Sequence, residues 1–464
     1  MSTLEIVDPS TEEAFASVAD AGQEEAAASV DAAAGALDGW SATPPRQRSE
    51  VLRRAHELMV ERADAIAETI VRENGKPIAE AKGEVVYAAE FFRWFAEEAV
   101  RMHGSVVEAP AGGGKHVVLL QPVGVSYLIT PWNFPAAMLT RKIGPALAAG
   151  CTVIAKPASQ TPLTAILIDE ILTEAGAPEG VVNLLVSSNS RAVTEVVLGD
   201  PRVRKLSFTG STEVGRVLLA QASERIVNCS MELGGNAPFL VFADAHIDDA
   251  VAGAMIAKLR HNGEACTAAN RFFVEEPVAE EFGRKLADAM AVLRVGPGLD
   301  PETRLGPLVD AAGREKVERL VQAGVDGGGK VLTGGRRPAD RPKGFFYEPT
   351  VVADVPPESP LLAEEVFGPV ASLTTFAPGE DVVARANDVE HGLVAYLYTG
   401  DLARGMDAAE RLEAGMVGVN KGIVSDPAAP FGGVKQSGLG REGGHDGLLA
   451  FTETKYVAVD WRPR

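Results

Sequence analysis

Across residues 51–74 the chain reads VLRRAHELMVERADAIAETIVREN, with Leu52, Ala55, Leu58 or Met59, Ile66 and Ile70 on one stripe and charged residues between them. Gly75 and then Pro77 supply a stop, so the spacing predicts one amphipathic helix over 51–74. From Val117 onward the pattern changes. Short apolar runs (HVVLL, GVSYLIT, TVIAK, VNLLV, KLSFT) alternate with helical stretches such as 135–149 and 162–175. Apolar strands between helices read as a parallel α/β sheet, an architecture that commonly holds a nucleotide cofactor. A second α/β stretch begins near Gly234 and runs to about Pro430. Residues 105–122, SVVEAPAGGGKHVVLLQP, place two β-prone runs around a glycine-rich turn and predict a projecting hairpin. The run AFTETKYVAVD near the C-terminus is a further isolated strand, of the kind that completes a sheet elsewhere, including on another subunit.

At 464 residues and 48.7 kDa the chain exceeds what one core usually supports, so two or more domains are expected. Lys+Arg 44 against Asp+Glu 64 gives a net charge of -20, which opposes nucleic acid and anionic membrane surfaces. A small anion needs locally clustered arginines or lysines. The start MSTLEIVDPSTEEAF has no basic segment followed by an apolar one, and no run is long enough for a membrane helix, so a cytoplasmic protein is expected. Cys151, Cys229 and Cys266 are odd in number and far apart, and the seven histidines are scattered. Neither a disulfide framework nor a metal site is expected.

Cys266 lies in GEACTAANR, on a turn between a predicted helix broken by Gly263 and a strand-like RFFVEE. Small neighbours leave room for a substrate at a nucleophilic sulfur, although a lone cysteine is more often a small buried hydrophobe. Glu232, in MELGGNAP, reads as a desolvated general base or as a solvated or salt-bridged residue. Asn133, in TPWNFP, reads as an oxyanion donor or as a helix cap, with Trp132 and Phe134 open to a core role. AKPASQTP and FTGSTEVG end strands and could bring backbone N–H groups to a phosphate, but ordinary tight turns explain them equally well.

Taken together, PWNFP, KPASQTP, FTGSTEVG, MELGGNAP, GEACTAANR, EEVFGPV and PFGGVKQSGLGRE resemble, in order and spacing, the signature segments of the NAD(P)-dependent aldehyde dehydrogenase superfamily. The likeness covers nearly the whole chain. It is strongest to the succinate-semialdehyde dehydrogenases, through FPAAMLTRKIGPALAAGCTV, RKLSFTGSTEVGR and GREGGHDG. The resemblance implies an α/β fold with a Rossmann-type cofactor domain (1–104 and 123–232), an α/β catalytic domain (233–430) and a small β oligomerisation element (105–122 and 445–464). It also implies a homodimer or homotetramer. Cys266 becomes the nucleophile, Glu232 the base for the hydrolytic water and Asn133 an oxyanion donor. The cofactor residues become Thr130, Trp132, Lys156, Ser159, Gly210, Ser211, Glu365 and Phe367. Ser159 stands where many NAD-preferring relatives carry glutamate, which removes repulsion toward a 2'-phosphate and, with Lys156, favours NADP over NAD without excluding NAD.

For a semialdehyde carboxylate the resemblance points to Arg141 and Arg260, with Ser425 as a hydroxyl donor; without it, each arginine reads as a salt-bridge partner. The expected reaction is oxidation of succinate semialdehyde to succinate. The alternatives are another short aldehyde, such as glutarate semialdehyde, or a cofactor-free thiol esterase. Glu264 stands where relatives usually have glutamine, and Lys421 where many have glutamate or another polar residue, so both change the charge expected near the mouth of the site. Ala268 replaces the second cysteine that some relatives use for a redox switch.

Overall fold

The computed structural model describes residues 2–460. Two sheets dominate it. The first has six strands in the order Gly438–Leu439, Asn228–Glu232, Val203–Thr209, Val125–Ile129, Val153–Lys156 and Val182–Leu184. All but the short Gly438–Leu439 edge are parallel. The chain runs outward from Val125–Ile129 through the next two strands and then crosses back to place Val203–Thr209 on the other side. The strand order therefore reverses between Val125–Ile129 and Val203–Thr209, and the crevice beyond their C-terminal ends is where open α/β sheets bind ligands.

The second sheet has seven strands, ordered Lys330–Thr333, Thr350–Ala353, Val370–Phe376, Ala269–Glu275, Ala237–Val241, Val394–Tyr398 and Met416–Val419. Only its Lys330–Thr333 edge is antiparallel. The expected parallel α/β architecture is present in both halves.

Some sequence expectations change. The helix expected over 51–74 is two helices, Pro45–Glu61 and Ala63–Asn74, broken at Arg62, whose backbone leaves the helical region at φ -105°, ψ 16°. The apolar run HVVLL is not a buried parallel strand. It lies in Lys115–Pro122, which pairs antiparallel with Ser105–Glu108 as the hairpin predicts. The C-terminal strand Thr452–Val459 does complete a sheet elsewhere, as expected, pairing along its whole length with Lys115–Pro122 of the same chain. Within 445–464, Leu448 and Phe451 are packed into the first core, and residues 461–464, with residue 1, lie outside the described residues. The chain beyond 430 also returns to the first sheet through Gly438–Leu439.

The site lies where two cores meet. Helices Pro45–Glu61, Ile78–Ala99 and Pro135–Ala149 build one core, which takes in Ala265 and Ala268. Ala269 belongs to the core of the second sheet, and Cys266 packs against it. The turn 265–268 thus stitches the two cores together, and rigid packing on both sides fixes the sulfur between them. Among the described residues no helix is long and apolar enough to cross a membrane.

Candidate active site

The helix Ile247–Leu259 ends at Leu259, and a short 3-10 segment, Arg260–Gly263, turns the chain toward Cys266. Gly263, at φ 79°, is required here: a Cβ would lie 2.2 Å from the Gly368 carbonyl oxygen. Cys266 is half-buried, three residues before the strand Ala269–Glu275. Burial pushes its thiol up to about 12, while Arg141 and Arg260 pull it down and Glu365 and Glu232 push it further up. These four ionisable groups, from distant parts of the sequence, all act on the sulfur electrostatically.

Asn133 follows the strand Val125–Ile129 and is 4% exposed. It is held at three points. Its Nδ2 donates to the Glu264 carbonyl at 2.9 Å, its Oδ1 accepts from the Phe134 N–H at 3.1 Å, and its own carbonyl accepts from Lys76 Nζ at 2.9 Å. One Nδ2 hydrogen is left for an incoming oxygen. The helix-cap reading does not hold, because helix Pro135–Ala149 starts after Phe134 and has no side-chain cap.

Glu232 ends the strand Asn228–Glu232 and is 3% exposed, with neither carboxylate oxygen hydrogen-bonded to protein. Burial, then the Glu442 carboxylate, raises its carboxyl well above the usual range. Gly432 keeps room beside it, since a Cβ there would lie 2.7 Å from Glu232 Oε1. A buried carboxyl without partners beside a half-open thiol is equipped to take a proton from water or from sulfur.

Arg141, 2% exposed, donates from Nη2 to Tyr87 Oη at 2.6 Å and lies over the Phe431 ring at 4.1 Å. Its Nε and Nη1 have no hydrogen-bond partner; the nearest carboxylate, Glu442, is 3.9 Å from Nη1. Glu442 is itself bound closely by Lys142. Arg260 Nη1 reaches Ser425 Oγ at 3.4 Å, and its guanidinium lies over Phe134 at 4.7 Å. Arg260 and Ser425 line a cavity of about 520 Å³ with Tyr87, Phe134, Ile423 and Arg304. Cys266 is not among the residues that line this cavity. Tyr87 and Arg304 carried no sequence signal, Tyr87 being one of five aromatics in a helical run that reads as core and Arg304 an isolated cation.

The expected cofactor residues gather at the strand-order reversal. Ile129 is in register with Lys156 on one side and Phe208 on the other, so Thr130, Lys156 and Gly210 leave the sheet at one level. Ser211 caps helix Thr212–Ser223, its Oγ accepting from the Val214 N–H at 3.3 Å, which leaves a 12-residue helix with its N-terminus at the crevice. Lys156 is 3% exposed, its Nζ bonded only to the neighbouring Pro157 carbonyl at 3.4 Å, and burial lowers it to about 8. An under-partnered cation and a free helix terminus fit the phosphates and ribose of a dinucleotide. Ser159 Oγ turns to Gln160 Oε1 at 3.3 Å. On the facing sheet, Glu365 Oε1 accepts from the Gly235 N–H at 3.3 Å and is raised to about 7 by burial, and Phe367 packs edge-on against Trp132 at 5.5 Å.

The two departures behave differently from expectation. Lys421 is exposed, but Glu264 is not at the mouth: it is 1% exposed, with Oε1 accepting from the Val309 N–H at 3.1 Å. No group of His, Cys, Asp or Glu among the described residues is arranged to hold a metal ion.

Residues 1–457 match the sequence profile of the aldehyde dehydrogenase family. The chain is 52% identical over 445 residues to a succinate-semialdehyde dehydrogenase of Paenarthrobacter nicotinovorans, covering 96% of this chain and 98% of that protein. It is 47% identical over 457 residues to a glutarate-semialdehyde dehydrogenase of Pseudomonas putida, covering 98% and 94%. The crystal structure of an E. coli NADP-dependent enzyme superposes with a TM-score of 0.97 at 46% identity, covering 99% of this chain and 95% of that one.

Proposed function

The chain belongs to the aldehyde dehydrogenase family, and from that premise we propose that it oxidises a short aldehyde bearing a distal carboxylate, succinate semialdehyde first, using NADP in the cytoplasm. The observation that carries the substrate is Arg141: a guanidinium 2% exposed, with no hydrogen bond at Nε or Nη1 and only the Glu442 carboxylate, 3.9 Å from Nη1 and already held by Lys142, as counter-charge, and with its charge felt at Cys266. A buried cation with unmet donors is costly to leave unpaired, and a substrate carboxylate is the partner that a bidentate fork selects. Arg260 and Ser425 offer a second grip from the cavity wall.

At rest the Cys266 thiol is neutral, so attack on the aldehyde carbon requires its proton to leave. Glu232, with two open oxygens, is the acceptor. The C–S bond forms as the carbonyl π pair moves to oxygen. That oxyanion takes hydrogen bonds from the free Asn133 Nδ2 hydrogen and the Cys266 N–H. Lys156, Ser211 and Glu365 would hold the dinucleotide, which when bound supplies the acceptor for the hydrogen and electron pair leaving the thiohemiacetal carbon. Once Glu232 has released the thiol's proton to solvent, it removes a proton from water as that water attacks the thioester; the C–S bond breaks with its electron pair returning to the Cys266 sulfur, and the carboxylate leaves.

Preference for NADP is supported by Ser159, which puts no negative charge beside the ribose, and by Lys156. Glutarate semialdehyde is the second reading, because a cavity of about 520 Å³ has room for one more methylene, a difference worth roughly 1–3 kcal/mol. The three-stranded sheet, with Val106 61% and Tyr456 57% exposed, supports an oligomer built on that element. The deciding measurement is an initial-rate comparison of succinate semialdehyde, glutarate semialdehyde and an unsubstituted aldehyde, each with NADP and NAD. Arg141→Ala and Arg260→Ala should raise KM sharply for the carboxylated substrates and little for the neutral one. Equal effects on all three would remove the carboxylate clamp. Cleavage of an activated ester with no cofactor reduction on any aldehyde would favour a thiol esterase.

A further inference from the structure

The turn that presents Cys266 opens with three successive left-handed residues: His261 (φ 52°), Asn262 (φ 55°) and Gly263 (φ 79°). Two are not glycine, a conformation that persists only where the surroundings hold it. Asn262 is clamped by the opposite loop, donating to the Pro307 carbonyl at 2.9 Å and accepting from the Gly306 N–H at 2.7 Å. The His261 N–H donates to Glu80 Oε2 at 2.5 Å. Its ring is wholly buried beside Trp132 and Phe134, with centroids 6.2 and 5.2 Å away, and neither ring nitrogen has a hydrogen-bond partner. Glu264 is buried too. Its Oε2 has no hydrogen-bond partner and lies 4.0 Å from His261 Nε2.

The hydrogen-bond count separates the two protonation states. A carboxylate has about four acceptor sites, and here one bond, from Val309, serves them all. A carboxylic acid needs a single acceptor for its O–H. A neutral imidazole with a bare Nε2 is that acceptor, one small torsion away. The surrounding charges agree. Lys76 and Arg260 face the imidazole and oppose an imidazolium; burial, and then Asp310, oppose a carboxylate at Glu264, with Lys76 acting weakly the other way. Glu80, bonded to the His261 N–H, completes the ionisable groups that contact the pair.

We propose that Glu264 works as an uncharged carboxylic acid directed at His261, a glutamine-like positioning residue for the oxyanion asparagine and the nucleophile. It acts through its own backbone: the Glu264 carbonyl accepts from Asn133 Nδ2 at 2.9 Å, and Cys266 follows two residues on. Loss of its proton places a negative charge in a dry site on the residue whose carbonyl holds the Asn133 amide, two positions before the sulfur that must become a thiolate. Both steps that create negative charge are then opposed, so ionisation of Glu264 sets an alkaline limit on the enzyme. The inference rests on Cys266 being the nucleophile of an aldehyde-oxidising enzyme, but thiol reactivity can be read without any aldehyde.

The test compares full-length wild type with Glu264→Gln and His261→Gln over pH 6 to 11, in two measurements. Alkylation of Cys266 by iodoacetamide is followed on the Cys266 peptide by mass spectrometry. Turnover is followed with each variant normalised to its own plateau. Glu264→Gln should move the rise in alkylation to lower pH, about tenfold faster at a fixed alkaline pH for each unit of displacement, and should remove the alkaline fall in turnover. His261→Gln gives Glu264 an amide donor that favours the carboxylate, so its fall in turnover should come at lower pH than in wild type. Profiles that superimpose on wild type, or move in the opposite sense, overturn the proposal. A protein that turns over no aldehyde would refute the functional reading and still leave the alkylation comparison to decide this one. If Glu264→Gln fails to fold, the direction of the His261→Gln shift decides.

Discussion

At the scale of single residues, the site separates roles by how each polar atom is partnered. The Asn133 side chain is fixed through Nδ2 and Oδ1 with one amide hydrogen left over, so Asn133→Ala should cost about 3–4 kcal/mol of transition-state stabilisation, read as a 10²–10³-fold fall in kcat with circular dichroism unchanged. A fall confined to KM would show that the amide only binds substrate. Glu232 is the opposite case, with both oxygens open. Its carboxyl is raised, and only its ionised form accepts a proton, so turnover in wild type should climb as pH rises through that raised value. Glu232→Gln should flatten the climb and reduce steady-state turnover by about 10²–10⁴-fold. The acid side of the pH profile belongs to Glu232 and the alkaline side to Glu264. Cys266, Glu232 and Asn133 could be named as candidate nucleophile, base and oxyanion amide only through their conjunction with other motifs, since each residue alone also fitted a structural role. The Glu264 carboxyl was misplaced at the mouth because a sequence gives no direction for a side chain on a left-handed turn.

At the scale of elements, the helices and strands that position these residues followed from periodicity, whereas their ties did not. Helix Pro135–Ala149 and the hairpin strands were readable because their apolar spacing is local. The break at Arg62 left no glycine or proline to mark it. Still less visible was the turn after helix Ala63–Asn74. There Asn74 Nδ2 donates to the Trp132 carbonyl at 3.0 Å, and Lys76 bonds the Asn133 carbonyl while pairing closely with Glu84. Glu84 Oε1 in turn accepts from the Ala136 N–H at 2.9 Å, at the start of helix Pro135–Ala149. Apart from the Lys76–Glu84 pair, these contacts join residues more than fifty positions apart, and nothing in either segment announces the other. Lys76→Met removes the counter-charge of a fully buried carboxylate and should destabilise the fold by about 3–5 kcal/mol in urea unfolding. Adding Glu84→Gln should restore part of that stability without restoring kcat, because the Asn133 carbonyl still lacks its donor. Full recovery of kcat in the double variant would mean that Lys76 serves only the charge balance.

At the scale of the whole molecule, an enzyme with a net charge of -20 that takes the proposed carboxylated aldehyde would have to admit it against its own field. The arginines of the site are graded with depth: Arg141 is buried, Arg260 half-buried, and Arg304, on the cavity wall, exposed. Among the described residues neither Arg260 nor Arg304 has a carboxylate within ion-pair distance, so both charges are open to a substrate. Arg304 is held by backbone carbonyls alone, its Nη1 donating to Pro301 at 2.8 Å and Thr303 at 3.1 Å. Salt distinguishes the members of this series. An exposed charge is screened over about 8 Å at physiological ionic strength, whereas a charge inside the protein is screened far less. Arg304→Ala should therefore lower kcat/KM for a carboxylated aldehyde by a few-fold in dilute buffer, and the deficit should close as salt is added. The deficit of Arg260→Ala should persist, and a neutral aldehyde should respond to neither change. If the Arg304→Ala deficit were indifferent to salt, its guanidinium would be acting by direct contact, and the path of the substrate carboxylate would have to run along the outer wall.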